Sequence, residues 1–201
     1  MITKQANKIN LKEASAQTGI IGKHKFSVCD VRHPKVEKLE QEILHTIRSV
    51  IPNDEKYNLL SQLYAEIRRL TSVRELVLSN IIPTVGRAVI AQRLASTNTY
   101  TLNVNYGAVG DDNTAVANGD TALGNEVYRK AISSYTSSNN IAYLSQFYAS
   151  TDFNDTIEEF GWFIDGGAGA DSGQLFSHFL TTTIAKSATE TLTIESSLTI
   201  S

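Results

Sequence analysis

The segment that decides the fold is Ile157-Glu158-Glu159-Phe160-Gly161-Trp162-Phe163, in which aromatic and apolar side chains surround two adjacent carboxylates. Aromatic and β-branched residues favour extended structure, so we predict a strand over 158–164. Neighbouring side chains of a strand point to opposite faces, so Glu158 and Glu159 cannot face one substrate. The pair therefore does not match the two-carboxylate arrangement of glycoside hydrolysis, and we interpret the segment as structural.

Similar strand patterns recur on both sides of this segment, separated by clusters of Gly, Asn and Asp. Ser137-Ser138-Asn139-Asn140 has the composition of a hairpin turn. Eight strands with regular turn signals indicate an antiparallel β-sandwich. The predicted strands are Gly19–Val31, 72–79, 99–106, 127–137, 140–150, 158–164, 174–184 and 190–200.

Between the first two predicted strands the apolar period changes to that of a helix. Pro34 suits a first helical turn and Pro52 ends the helix, after which a second stripe begins. We therefore predict a helical hairpin over 33–71, inserted into the sandwich. A short helix follows from Val85 to Leu94, with Val85, Val89, Ile90 and Leu94 facing inward. The fold class is thus α+β: a mainly antiparallel sandwich domain at 19–201 with this insertion, the short helix and an N-terminal arm at 1–18.

The apolar stripes of the hairpin must be buried, either on each other and the sandwich or as a coiled-coil seam with a neighbouring subunit. Ile141–Tyr148 is apolar on both faces, which indicates a central strand or contact with another subunit. The arm is polar, with Lys4, Lys8 and Lys12 at four-residue spacing, and either stays disordered or orders against a neighbour. We take as a predicted assembly interface the residues Val36, Leu39, Ile43, Ile47, Tyr143 and Phe147.

Composition restricts the class of protein. Cys29 is the one cysteine, so an intrachain disulfide is impossible, and we expect a protein made in a cytoplasm without a membrane-spanning run. Residues 1–75 carry 13 Lys/Arg against 9 Asp/Glu, whereas 76–201 carry 5 against 12. This split could favour contacts between subunits or merely reflect charge-rich helices. Because bases and acids are interleaved, nucleic-acid binding is not expected.

Four patterns resemble chemical sites but are better explained as structure. Cys29 and His24 lie five apart in a strand and so face opposite sides, which separates a thiol from its base. The acidic loop at 110–120 lacks the order of calcium ligands, and the Gly-rich run at 165–173 lacks the helix that a phosphate loop needs. The aromatics around Trp162 favour core packing over a carbohydrate surface. We therefore predict no catalytic, cofactor or metal site.

Four segments, read in order, resemble the β-domain of tailed-bacteriophage tail and fibre proteins. The resemblance covers residues 86–201, with a further strand near Gly19–Val31. The segments that carry it are Gly86-Arg87-Ala88-Val89-Ile90-Ala91-Gln92-Arg93-Leu94, the acidic loop at 110–120, Asp120-Thr121-Ala122-Leu123-Gly124-Asn125-Glu126-Val127-Tyr128-Arg129-Lys130 and Ile157–Phe163. The resemblance implies that Glu159 is structural and pairs with Arg129. It also implies that the hairpin replaces a short turn.

The function that this resemblance implies is that of a non-enzymatic virion structural protein, assembled in the host cytoplasm and placed in a tail, collar or neck, baseplate or fibre adaptor. Its expected partners are other virion proteins and copies of itself, with a trimer as the first expectation. The alternatives are a head-surface decoration or head-fibre protein, or a receptor- or glycan-binding module that uses loops 107–120 and 165–173.

Overall fold

The fold is a two-sheet antiparallel sandwich with helices added, as predicted. The computed structural model describes residues 20–71, 73–97 and 99–201, so the predicted arm lies outside the described residues. The elements in chain order are β1 (Ile20–Asp30), α1 (Pro34–Arg48), α2 (Asn53–Leu70), β2 (Val73–Ser79), α3 (Thr84–Leu94), β3 (Val104–Gly110), β4 (Glu126–Ala131), β5 (Ser134–Ser138), β6 (Ile141–Tyr148), β7 (Thr156–Ile164), β8 (Gln174–Ala185) and β9 (Glu190–Ile200).

Every strand pairs antiparallel with its neighbours. One sheet has the order β2-β1-β9-β6-β5 and the other the order β4-β3-β7-β8. We call them the five-stranded and the four-stranded sheet. The predicted hairpin turn is confirmed, because β5 and β6 are joined by Asn139 and Asn140, and Asn139 has the positive φ of 52° that asparagine tolerates.

Two strand boundaries differ from prediction. The single strand predicted over 127–137 is two strands, since β4 lies in the four-stranded sheet and β5 in the other. The chain crosses between sheets at Ile132 and Ser133, where no Gly or Pro marks the break. The strand predicted over 99–106 begins later, at Val104. The described residues therefore form nine strands instead of eight.

The space between the sheets is filled by aromatic rings. Phe160 and Trp162 of β7 meet edge to face with centroids 4.8 Å apart, and Phe26 of β1 packs edge-on against Phe160 at 6.0 Å. Trp162 is fully buried and its indole N–H donates to Ser196 Oγ at 3.0 Å. The segment at 157–163 thus supplies the centre of the core, which confirms core packing for these aromatics.

The helical hairpin packs on the outer face of the five-stranded sheet. The described residues therefore form three layers, which are the hairpin, the five-stranded sheet and the four-stranded sheet. Tyr64 of α2 stacks on Phe147 of β6 with ring centroids 5.6 Å apart. Arg68 donates to Glu195 at 2.8 Å, and the backbone N–H of Ser150 donates to Glu40 at 2.6 Å. The cluster buried beneath the hairpin consists of Cys29, Val36, Ile43, Leu60, Tyr64, Ile67, Phe147 and Ala149. Among the described residues, no helix is both long and apolar enough to span a membrane.

Candidate functional site

The predicted assembly interface is wrong for three of its six residues. Val36, Ile43 and Phe147 are fully buried between the hairpin and the sheet, so no other subunit can reach them. Leu39 and Ile47 are partly buried and pack against the same cluster. Tyr143 is half-buried, with its ring 6.0 Å from that of Tyr57 on α2. The stripes cover the sheet of their own chain because an apolar sheet face and an apolar helix stripe remove each other from water.

The predicted separation of His24 from Cys29 is confirmed. His24 lies between the sheets, stacked on Phe179 at 4.0 Å, with Nδ1 2.7 Å from Ser196 Oγ. Burial lowers the pKa of His24 to about 3, so the imidazole is neutral at physiological pH. Cys29 lies on the opposite face beneath the hairpin, and burial raises the pKa of its thiol. The two side chains therefore do not form a nucleophile and base.

A buried histidine joined to two carboxylates holds the acidic loop against the four-stranded sheet. His178 of β8 has Nδ1 2.8 Å from Asp120 of the loop and Nε2 2.8 Å from Glu159 of β7. The other donors to Glu159 are the backbone N–H groups of Gly124 and Asn125, at 3.0 and 2.9 Å. We call Asp120, His178 and Glu159 the clasp. It satisfies a carboxylate that is only 1% exposed.

The clasp shifts two pKa values in opposite directions. Burial lowers the pKa of His178, but its hydrogen bonds with Glu159 and Asp120 outweigh burial and raise the pKa above 6.5. Burial raises the pKa of Glu159, but the hydrogen bonds from His178, Asn125 and Gly124 bring it below its usual value. Both ring nitrogens of His178 are engaged by carboxylates, so neither remains to take a proton from a nucleophile. The arrangement is suited to holding a loop.

The resemblance paired Glu159 with Arg129, and this expectation is wrong. Arg129 instead pairs with Glu126 at 2.5 Å, and both side chains are almost fully buried. Arg129 also donates to the backbone carbonyls of Gly167 and Ser172 at 3.1 and 2.7 Å, and its guanidinium lies 4.5 Å over the ring of Phe163. Arg129 therefore fixes the Gly-rich run, which forms the connection between β7 and β8 as predicted.

The small cleft above the clasp holds oxygen ligands without the arrangement of a metal site. Its volume is about 310 Å³, and Asp112, Asp120 and Glu159 all line it. Asp112 is occupied by the backbone N–H and hydroxyl of Thr114, at 2.8 and 2.7 Å. In the described part of the chain, no group of three or more His, Cys, Asp or Glu side chains is placed to hold a metal ion.

A large, mainly apolar groove lies at one end of the sandwich, among the described residues that line it from both sheets and from α3. Its volume is about 1390 Å³. One wall is formed by the ends of β1, β9, β6 and β5, and the other by α3 with Leu102 and Val104. Leu94 was predicted to face inward, but it is 84% exposed at the rim. The other large apolar side chains of the groove that are exposed are Ile21, Tyr135 and Ile200.

Neither the clasp nor the groove was identified from the sequence. The groove depends on how strand ends, α3 and the loops between them are brought together in the tertiary structure, which no local sequence pattern indicates. The clasp carried a weak signal, because His178 interrupts an apolar strand and Asp120 follows Asn118-Gly119 in the acidic loop. Comparisons of the chain with family models, curated proteins and solved structures found no match.

Proposed function

We propose that this chain is a non-enzymatic structural component of a tailed-bacteriophage virion, in a tail, collar, baseplate or fibre adaptor, and that it acts by subunit assembly. The observation that carries the proposal is the open apolar groove, whose rim includes the exposed side chains of Leu94 and Ile200. Large exposed apolar surfaces on a soluble domain mark sites of contact with other proteins. The proposal that the particle is a tailed bacteriophage rests on the sequence resemblance over residues 86–201.

The chemistry of the described residues also favours a structural role. The neutral His24 and the raised pKa of Cys29 are properties of packed side chains, and His178 has both nitrogens occupied. A nucleophilic mechanism needs a base with a free nitrogen or oxygen next to the nucleophile. The rigid elements are instead arranged to fix geometry: two sheets, a clasped loop and a helical layer.

The particle assignment is tested by locating the chain. Particles released from a culture of the strain that carries the gene are purified by density gradient, and the chain is detected with an antibody. We expect the chain to co-purify with infectious particles and gold-labelled antibody to mark a fixed position on tailed particles. Position on the head instead of the tail would favour the decoration or head-fibre alternative. Absence of the chain from purified particles would refute the proposal.

A second measurement addresses the absence of enzymatic activity. The purified chain is incubated with panels of glycans, esters and nucleotides, beside Cys29→Ser and Glu159→Gln variants. We expect no turnover above that of a heat-denatured sample. Turnover by the native chain that either substitution removes would show that an active site exists and would contradict the proposed class.

A further inference from the structure

The groove opens at the end of the sandwich where the described chain begins. Ile20, the first residue of β1, pairs with Ile200 of β9, and both residues line the groove. β1 runs from this end into the five-stranded sheet. The nineteen residues that precede Ile20 in the sequence therefore join the sandwich at the mouth of the groove.

The size of the groove favours a polypeptide segment over a small molecule. Pockets for small ligands have volumes of roughly 300–1,000 Å³, and this groove exceeds that range at about 1390 Å³. Its lining is mainly apolar and also includes Asn80, Asn103 and the charged residues Asp54 and Arg87. Such a lining suits an extended segment that places apolar side chains inward and satisfies its backbone groups at the rim.

The N-terminal segment has the matching chemistry. Residues 1–19 contain Ile2, Ile9 and Leu11 as large apolar anchors. They carry three lysines against one glutamate, a net charge of +2, which leaves −5 on residues 20–201 out of the total of −3. A basic segment is therefore attracted to the acidic body of the domain.

We propose that residues 1–19 of one copy dock in the groove of a second copy, so that the chain assembles by exchanging N-terminal segments. This inference rests on the proposed function, because it names the surface and the partner through which subunits assemble. The groove is then the receiving site, and each copy both gives and receives a segment. If the exchange closes on itself the product is a symmetric oligomer, and if it does not the product is a chain of subunits.

Exchange between copies is favoured over docking in the same copy by the direction of β1. Continued outward, the line of β1 leads away from its own sandwich. A segment that enters its own groove must reverse direction directly before Ile20. Fully extended, nineteen residues span up to about 65 Å, which is ample to reach a neighbour. Gly19 would permit a reversal, so docking within one copy is the rival arrangement that the experiment must separate.

Cross-linking between two distinguishable copies separates these arrangements. A copy with Ile9→Cys is co-expressed with an affinity-tagged copy carrying Leu94→Cys, and disulfides are formed under mild oxidation. Native Cys29 is buried and does not compete. We expect a disulfide between the two copies. The matched control places the second cysteine by Val77→Cys, on the exposed edge of β2 outside the groove, and should give no product.

Light scattering of full-length variants provides an independent measurement. Leu94→Asp places a carboxylate in the apolar groove, where it must be desolvated when a segment docks. We expect the concentration for half-dissociation to rise at least about tenfold, toward the 22.0 kDa monomer, because that desolvation opposes docking. Val77→Asp should leave the mass unchanged. Circular dichroism and cooperative melting verify that both variants are folded.

Three results would overturn the inference. The first is a disulfide that forms only within a single copy carrying both Ile9→Cys and Leu94→Cys, which would show docking in the same copy. The second is an oligomer that Leu94→Asp leaves unchanged, and the third is a wild-type chain that stays monomeric at high concentration. None of these three results would contradict the proposed virion function, provided that the chain is found in purified particles. Conversely, exchange without incorporation into particles would refute the proposed function alone.

Discussion

At the residue scale, His178 makes the stability of the molecule depend on pH. Its raised pKa means that the folded state holds a proton that the unfolded chain releases near pH 6.5. Its contribution is therefore fully present below about pH 6.5 and is lost as pH rises through the folded pKa. The lowered pKa of Glu159 acts in the opposite sense, giving stability above its usual pKa that is lost as pH falls.

We expect the free energy of unfolding of the wild-type chain to decrease, relative to that of His178→Gln, as pH rises above 6.5. Urea denaturation of each chain at intervals of half a pH unit measures this free energy of unfolding. His24, with its pKa lowered to about 3, makes stability rise with pH until the unfolded imidazole has lost its proton, and this contribution is the same in both chains. His45→Gln, at an exposed position on α1, is the matched control and should keep the wild-type slope. If the free energy of unfolding had the same pH dependence in wild type and in His178→Gln, the proposed contribution of the clasp to stability would be contradicted.

At the scale of elements, the helices were predictable and some strands were not. Pro34 is the first residue of α1 and Pro52 directly precedes α2, because proline acts through the local backbone, although α1 ends at Arg48 and not at Pro52 as predicted. The split into β4 and β5 was missed because residues 127–137 keep a strand-like pattern while the chain changes sheets. The partner of Glu159 was missed for a similar reason, since it depends on which strand of the sheet lies alongside β7. Local patterns determine elements, whereas tertiary packing determines these pairings.

The helical hairpin is expected to be required for folding. Replacing residues 34–70 by a short Gly/Asn turn would uncover the cluster around Cys29, Phe147 and Ala149. Fully exposing each large apolar side chain costs about 1.5–3 kcal/mol, and typical domains have only about 5–15 kcal/mol of stability. We therefore expect loss of cooperative melting in circular dichroism. This result would also show that the apolar stripes of the hairpin serve to cover the sheet of their own chain, instead of forming a coiled-coil seam with a neighbouring subunit.

The control for this deletion is Val50→Ser, in the loop between the helices, where the side chain is fully exposed. It should melt like the wild-type chain. A hairpin-deleted variant that kept strand-type circular dichroism and cooperative melting would show that the five-stranded sheet is stable without its helical cover.

At the scale of the whole molecule, association through the groove should withstand salt. The charge difference between residues 1–75 and 76–201 gives long-range attraction, but this is largely screened at 1 M salt, where the Debye length is about 3 Å. Burial of apolar side chains is not screened and is strengthened by kosmotropic salts. We expect light scattering to give the same oligomer mass in 0.1 and 1 M sodium chloride. Dissociation at high salt would show that charge, and not the groove, holds the copies together.

The position of Cys29 gives the protein a reporter of its own local opening. The thiol is 2% exposed, and the hairpin covers it. A disulfide reagent in native buffer can label it only when the helices lift from the sheet or the whole chain unfolds. If labelling is faster than global unfolding allows, the helical layer opens by itself, and the rate gives the free energy of that opening. The chain's one cysteine thus separates the stability of the helical layer from that of the sandwich, with no substitution needed.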